Sequence, residues 1–186
     1  MFVCAGNGEE FEFAQSIGVG LVESAIHLSK LCTSQQIDGL IFLGSAGSYD
    51  QEIPLLELFV STHATQIDSS FLRGESYTPI PQEIKNLENV SYETIRAILS
   101  LNLPQAIVNS SNYISTDSVY ASAMKERGIL LENMEFFSVL AVARRLALPA
   151  LGVFCVSNYC GSKAHQEFVS NRIEVIRRLK VAIQNL

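Results

Sequence analysis

Gly39-Leu40-Ile41-Phe42-Leu43 is an unbroken apolar run that passes directly into the small residues Gly44-Ser45-Ala46-Gly47. A run of that length with no alternation reads as a strand buried on both faces, the kind that builds mainly parallel sheets. Because it ends in small residues, it leaves room at its carboxyl end, which is where α/β proteins place ligands.

The same design recurs on either side. Strands are predicted at Phe2–Ala5, Phe11–Ile17, Leu56–Ser61, Gln105–Asn109, Ile129–Leu131 and Ala150–Ser157. Between them lie helical patterns. Gly18-Val19-Gly20 opens a helix through Cys32, with Leu21, Val22, Ala25, Ile26, Leu28 and Leu31 on one broad apolar face. Further helices are predicted at Glu83–Leu87, Tyr92–Leu101, Asp117–Arg127, Phe136–Leu146 and His165–Leu186. Asp68–Pro81 is polar and holds Gly74, Pro79 and Pro81, so it reads as an irregular loop able to cover a site. Strand and helix alternate throughout, which predicts one α/β domain across residues 1–186.

Composition narrows the function classes. The chain is 48% hydrophobic and 17% charged, more apolar than a freely solvated monomer needs, which predicts a homo-oligomer. The net charge is -6 and the basic residues are dispersed, so nucleic acid is not an expected partner. Cys4, Cys32, Cys155 and Cys160 stand among apolar residues or at element ends without C-x-x-C spacing, as in a reducing compartment. His27, His63 and His165 show no metal-ligand spacing, so no metal is expected; His63 and His165 each follow a strand closely enough to approach a pocket. The start, Met1-Phe2-Val3-Cys4-Ala5-Gly6, has neither a positive leader nor a membrane-length apolar run, so a cytoplasmic protein without membrane contact is expected.

Three strands end in polar or small residues: Gly44-Ser45-Ala46-Gly47, Ser115-Thr116-Asp117 and Ser157-Asn158. Between the last two lies Glu132-Asn133-Met134-Glu135, at the start of a strongly apolar helix. Taken in order, Gly18-Val19-Gly20, Gly44-Ser45-Ala46-Gly47, Ser115-Thr116-Asp117-Ser118-Val119-Tyr120, Asn133-Met134-Glu135 and Val156-Ser157-Asn158 resemble the purine and uridine phosphorylase family, which includes the methylthioadenosine and adenosylhomocysteine nucleosidases. The likeness runs from about Met1 to about Gly161. It implies a three-layer α/β/α fold with a central mixed, mostly parallel sheet, and cleavage of the N-glycosidic bond of a purine nucleoside. Phosphate would be the co-substrate, with no other cofactor; water as the nucleophile, or nucleoside binding without chemistry, are the alternatives.

The resemblance also implies roles for single residues. Glu135 would hold the ribose 2' and 3' hydroxyls beside a sugar that gains positive charge. The competing reading is a carboxylate satisfying helix amides. Met134 would pack beneath the ribose, and Asn133 and Ser157 would line the substrate site. Ser45 and Gly47 would flank the phosphate or nucleophilic water, with Gly6 in the first phosphate or water loop. Glu9 or Glu10 would orient a water, the register leaving both open. Val119 or Tyr120 would pack on the base, unless Asp117 is simply a helix cap.

Two positions depart from the family pattern. Asn158 stands where many relatives have an aspartate that protonates purine N7; an amide can instead donate and accept at N7 and a 6-oxo group, which favours 6-oxopurines. Phe42 stands where bacterial phosphorylases carry a phosphate-binding arginine just before the glycine-serine turn, and the sequence leaves Arg73 unplaced. A dinucleotide-binding reading of Gly6-Asn7-Gly8 fails because position 11 is Phe.

Overall fold

The structure, a computed structural model, describes residues 1–86 and 92–184. In chain order its elements are β1 (Phe2–Cys4), β2 (Gln15–Ser16), α1 (Leu21–Ser34), β3 (Leu40–Ser48), β4 (Leu58–Thr65), α2 (Ser69–Leu72) and β5 (Glu83–Lys85). They continue with α3 (Glu93–Ser100), β6 (Gln105–Asn109), α4 (Ser118–Glu126), β7 (Ile129–Glu132), α5 (Phe136–Arg145), β8 (Ala150–Tyr159) and α6 (Ala164–Ile183).

Alternation along the central strands builds two apolar layers, as the period of two in a strand requires. Leu40, Phe42 and Ala46 of β3, with Phe154 and Val156 of β8, enter one core, against Leu28 of α1 and Val139, Leu140 and Ala143 of α5. Ile41 and Leu43, with Val153 and Cys155, enter the other, against Ile95 and Ile98 of α3 and Val175 and Leu179 of α6. Helices therefore cover both faces of the sheet, giving the three-layer α/β/α fold.

The sheet is mixed. β3 lies parallel to β1 and β8, and β4 and β7 each lie parallel to β6. Antiparallel pairs join β8 to β4, β7 to β3 and β5 to β4. The chain of pairs from β3 through β8, β4, β6 and β7 returns to β3, so these five strands close on themselves. A register shift between Ala46 and Gly47 accompanies that closure, because β3 there serves both β8 and β7.

Phe42, Phe136 and Phe154 form the densest part of the core, with ring centroids 5.0–6.2 Å apart. Gly152 makes room for them: a Cβ there would collide with the Phe154 ring and lie 2.8 Å from that of Phe136. The Phe42 side chain is fully buried in this cluster, which explains why an apolar residue occupies the position of a phosphate-binding arginine.

Several element boundaries differ from those the sequence predicts. Only Gln15–Ser16 of the predicted Phe11–Ile17 strand pairs with β1; Ala14 N–H bonds back to Phe11 O, and this turn buries the Phe11 ring. Glu83–Lys85 is a strand and not a helix: Ile84 points in and its two neighbours point out, a period of two that three residues cannot reveal in sequence. Leu87, the end of that predicted helix, lies outside the described residues, as do the last two residues of the predicted terminal helix. The β4 strand is shifted to Leu58–Thr65. The Asp68–Pro81 loop contains the short α2, whose first turn is capped by Asp68. Val22 and Ile26 of α1 are exposed, so the apolar face of that helix is wider than the core it packs on. Among the described residues, no helix is long and apolar enough to cross a membrane.

Candidate active site

The carboxyl ends of β1, β3, β7 and β8 converge on one cavity of about 260 Å³. Its walls include Gly6 and Glu9 after β1, Ser45 and Gly47 of β3, Asn133, Met134 and Glu135 after β7, and Asn158 of β8. The structure thus brings together seven of the residues singled out in the sequence: Gly6, Ser45, Gly47, Asn133, Met134, Glu135 and Asn158. The Gly44–Gly47 stretch is itself strand, not a turn, so Ser45 is aimed at the cavity by the pleat.

The N-terminus of α5 shows how Glu135 becomes available. Asn133 Oδ1 accepts from the N–H groups of Glu135 and Phe136, both at 3.0 Å, and Ser110 Oγ accepts from Phe137 N–H at 3.0 Å. Asn133 caps the helix, so Glu135 does not; its carboxylate makes no capping bond. The amide of Asn133 also donates to Ser45 O at 3.1 Å, tying the helix start to β3.

One oxygen of Glu135 accepts from Gly20 N–H at 2.9 Å. The residue is 3% exposed. Burial pushes its carboxyl up to about 7, and the neighbouring charge of Glu9 adds to this, against the bond from Gly20. A buried carboxyl aimed into a cleft and making no capping bond is available to a ligand there.

Glu9 was one of two open choices in the sequence. The residues before it, Gly6, Asn7 and Gly8, have φ of 84°, 55° and 94°, three successive left-handed conformations that turn the chain back towards β3. Glu9 is thereby buried, and its carboxylate accepts from both donors of Ser45: the backbone N–H at 3.3 Å and the hydroxyl. Burial raises the Glu9 carboxyl, and the Ser45 bonds oppose that rise. Glu10 points outward and accepts from Gly8 N–H at 3.0 Å.

Asn158 is held on both sides of its amide. Its Oδ1 accepts from Ser157 Oγ at 2.7 Å, and its Nδ2 donates to Tyr159 O at 3.2 Å. One lone pair and one N–H of the amide remain for a ligand. Ser157 therefore lies behind Asn158 and does not line the cavity.

Val119 and Tyr120 lie apart from this cavity. Asp117 caps α4 through Val119 N–H at 2.8 Å, and this leaves the Val119 side chain 76% exposed. Tyr120 turns into a separate buried cluster, where its hydroxyl donates to Ile67 O at 2.8 Å and its ring meets the Tyr49 edge at 5.8 Å. The helix-cap reading of Ser115-Thr116-Asp117 is the observed one. Apolar walls come instead from Val19, Ile114, Met134 and Phe168. Phe168 is the fifth residue of α6, a helix with no motif, so only its apolar character was visible in sequence.

Glu132, not singled out in the sequence, forms part of the cavity wall. It accepts from Ser115 N–H at 2.8 Å, from the Ser115 hydroxyl, and from Tyr49 OH at 2.8 Å. These bonds hold the segment carrying Ile114 against the cavity. His165 also reaches the wall, whereas His63 is engaged with Glu83 at 2.8 Å on the far side of β4, and His27 bonds Ile17 O. Among the described residues no group of His, Cys, Asp or Glu is arranged to hold a metal ion. Arg73 pairs with Glu75 at 2.9 Å, away from this cavity.

Known proteins similar to this chain include a Chromohalobacter salexigens 5'-methylthioadenosine/S-adenosylhomocysteine nucleosidase, 22% identical over 87% of this chain and 72% of its own length. A DeoD-type purine nucleoside phosphorylase of Buchnera aphidicola is 22% identical over 84% of this chain and 66% of its own length. Among solved structures, the S. pneumoniae 5'-methylthioadenosine/S-adenosylhomocysteine nucleosidase with a transition-state inhibitor superimposes with a TM-score of 0.79 at 18% identity, covering 97% of this chain and 94% of that one. The family model described as the phosphorylase superfamily matches residues 7–186, and with the ordered motifs converging on one cavity the chain belongs to that superfamily.

Proposed function

We propose that this chain hydrolyses the N-glycosidic bond of a purine nucleoside, with water and not phosphate as the nucleophile. One observation carries the choice: Glu9 takes both the N–H and the hydroxyl of Ser45, the donors that would otherwise bind an anion. The lining residues include neither Arg nor Lys, and a phosphate entering beside Ser45 would meet the Glu9 carboxylate. The nucleosidases among the similar proteins support the same reading. Phosphorolysis, the expectation drawn from the resemblance, is accordingly set second.

In this reading Glu9 accepts a proton from the attacking water, and Ser45 orients Glu9. Glu135 accepts from the ribose 2' and 3' hydroxyls and its charge faces the oxocarbenium-like sugar of the transition state. Met134, Val19 and Phe168 supply apolar contact to sugar and base. The free N–H of Asn158 donates to a 6-oxo group and its remaining lone pair accepts from N7–H, so 6-oxopurine nucleosides are favoured. Val19 and Ile114 line the cavity and are themselves exposed, apolar surface that a second subunit would cover, in keeping with the homo-oligomer expected from composition.

Incubation with inosine, guanosine, adenosine and methylthioadenosine, with and without phosphate, followed by chromatography of the bases, tests this. Release of base at the same rate in both conditions is expected. Release that requires phosphate contradicts the assignment, and no release from any of the four supports a binding protein without chemistry.

A further inference from the structure

Asn158 leaves one step of that reaction without a donor. A purine departs readily when N7 takes a proton as the C1'–N9 bond breaks, and a carboxamide has no such proton to give. Four side chains of the cavity wall exchange protons: Glu9, Glu132, Glu135 and His165. Three are committed elsewhere. Glu9 faces Ser45, Glu132 is held by Ser115 and Tyr49, and Glu135 is held by Gly20. His165 is solvent-accessible and its ring makes no hydrogen bond or ion pair among the described residues.

The helix that carries His165 is fastened to the chain on each side of Asn158. Glu167 Oε2 accepts from Tyr159 N–H at 2.9 Å, and Asn171 Nδ2 donates to Ser157 O at 2.8 Å. Both anchors belong to α6, so His165 and Phe168 wall the cavity in a fixed relation to the Asn158 amide. An imidazole is also the side chain whose ordinary range suits proton donation near neutrality.

We propose that His165 is the general acid of this chain, taking the part that Asn158 cannot play. This rests on the hydrolytic reading above. The imidazolium passes its proton to N7 while the C1'–N9 electron pair goes to the base, which leaves as the neutral purine with Asn158 accepting from N7–H. The oxygen of water bonds to C1' and its proton goes to Glu9. Exchange with solvent then returns a proton to His165 and removes one from Glu9.

The test uses the full chain, His165→Ala and His165→Gln, and two kinds of substrate. One is whichever of inosine, guanosine, adenosine and methylthioadenosine the unaltered protein cleaves fastest; the other is p-nitrophenyl ribofuranoside, whose phenolate leaves without a proton. Both variants are expected to lose on the order of 10²-fold or more in kcat on the purine nucleoside and to stay within about 3-fold on the phenyl riboside. Equal losses on the two substrates, or no loss on the purine nucleoside, overturn the assignment of the acid. Unaltered protein that releases no base from any purine nucleoside overturns the hydrolytic reading itself, a result distinct from an acid assigned to the wrong side chain.

Discussion

Glu9 and Ser45, thirty-six residues apart, meet at the carboxyl end of the central strand, where the Glu9 carboxylate takes both the N–H and the hydroxyl of Ser45. In the proposed mechanism that pairing makes Glu9 the base that faces water. Glu9→Gln keeps the shape but loses the base, so turnover is expected to fall on the order of 10²–10⁴-fold with substrate affinity little changed. Ser45→Ala should lose less, since it disturbs only the orientation of Glu9. Steady-state kinetics of both variants checks the order; a Glu9→Gln protein as active as the parent removes Glu9 from the mechanism.

Glu135 gives the activity its pH dependence. Its carboxyl is raised to about 7 by burial and must be ionised to hold the ribose hydroxyls in the proposed mechanism, so its ionisation sets the acid limb of the activity profile, centred on about 7. The stability effect has the opposite sign. A carboxyl raised in the folded state favours folding below its unfolded value, near 4.5, and that contribution is lost as pH climbs to about 7. Glu135→Gln should therefore be inactive, yet be more stable than the parent at pH 8 by roughly 3 kcal/mol, and so melt at a higher temperature. A parent-like melting temperature at pH 8 would show that the carboxylate is better solvated than its burial implies.

Asn133 links the cap of α5 to β3 through three hydrogen bonds. Asn133→Ala is expected to cost about 1–2 kcal/mol of stability from the lost cap and to lower turnover by releasing Glu135 from its place. Asn133→Asp retains the capping oxygen and loses the donor to Ser45 O, so it should recover stability more than activity. Urea titration and kinetics on the same preparations separate the two effects.

Phe42 tests whether the family's phosphate arginine could be restored. Its side chain is fully buried among Phe136 and Phe154, so Phe42→Arg would place an unpaired charge in the core. Loss of the folded state is expected, not a gain of phosphate dependence. Phe42→Ala should cost about 3–5 kcal/mol through the cavity it leaves. A folded Phe42→Arg protein with phosphate-stimulated activity would place this side chain at the site and not in the core.

The central strand and its neighbours were legible because their apolar runs are long and their ends change abruptly to small or polar residues. Glu135, Asn158 and Ser45 each lie at or just past such an end, and the structure brings all three to one cavity. Glu9 was only half so: choosing it over Glu10 depends on three left-handed residues, and Asn7 is not a residue that demands that conformation. Val119 and Tyr120 lie away from that cavity because Ser115-Thr116-Asp117 is as good a helix cap as it is a binding motif, and Asp117 took the capping role. Glu132 carried no role in the sequence reading and His165 only its nearness to a strand end, since each reaches the cavity through the packing of β7 and α6 around it.

The sugar product decides the central claim most directly. With a cleaved purine nucleoside and saturating phosphate, phosphorus NMR should show no ribose 1-phosphate while free base and free ribose accumulate in equal amounts. Stoichiometric ribose 1-phosphate would contradict the account, because phosphate would then have reached the place that Glu9 occupies beside Ser45.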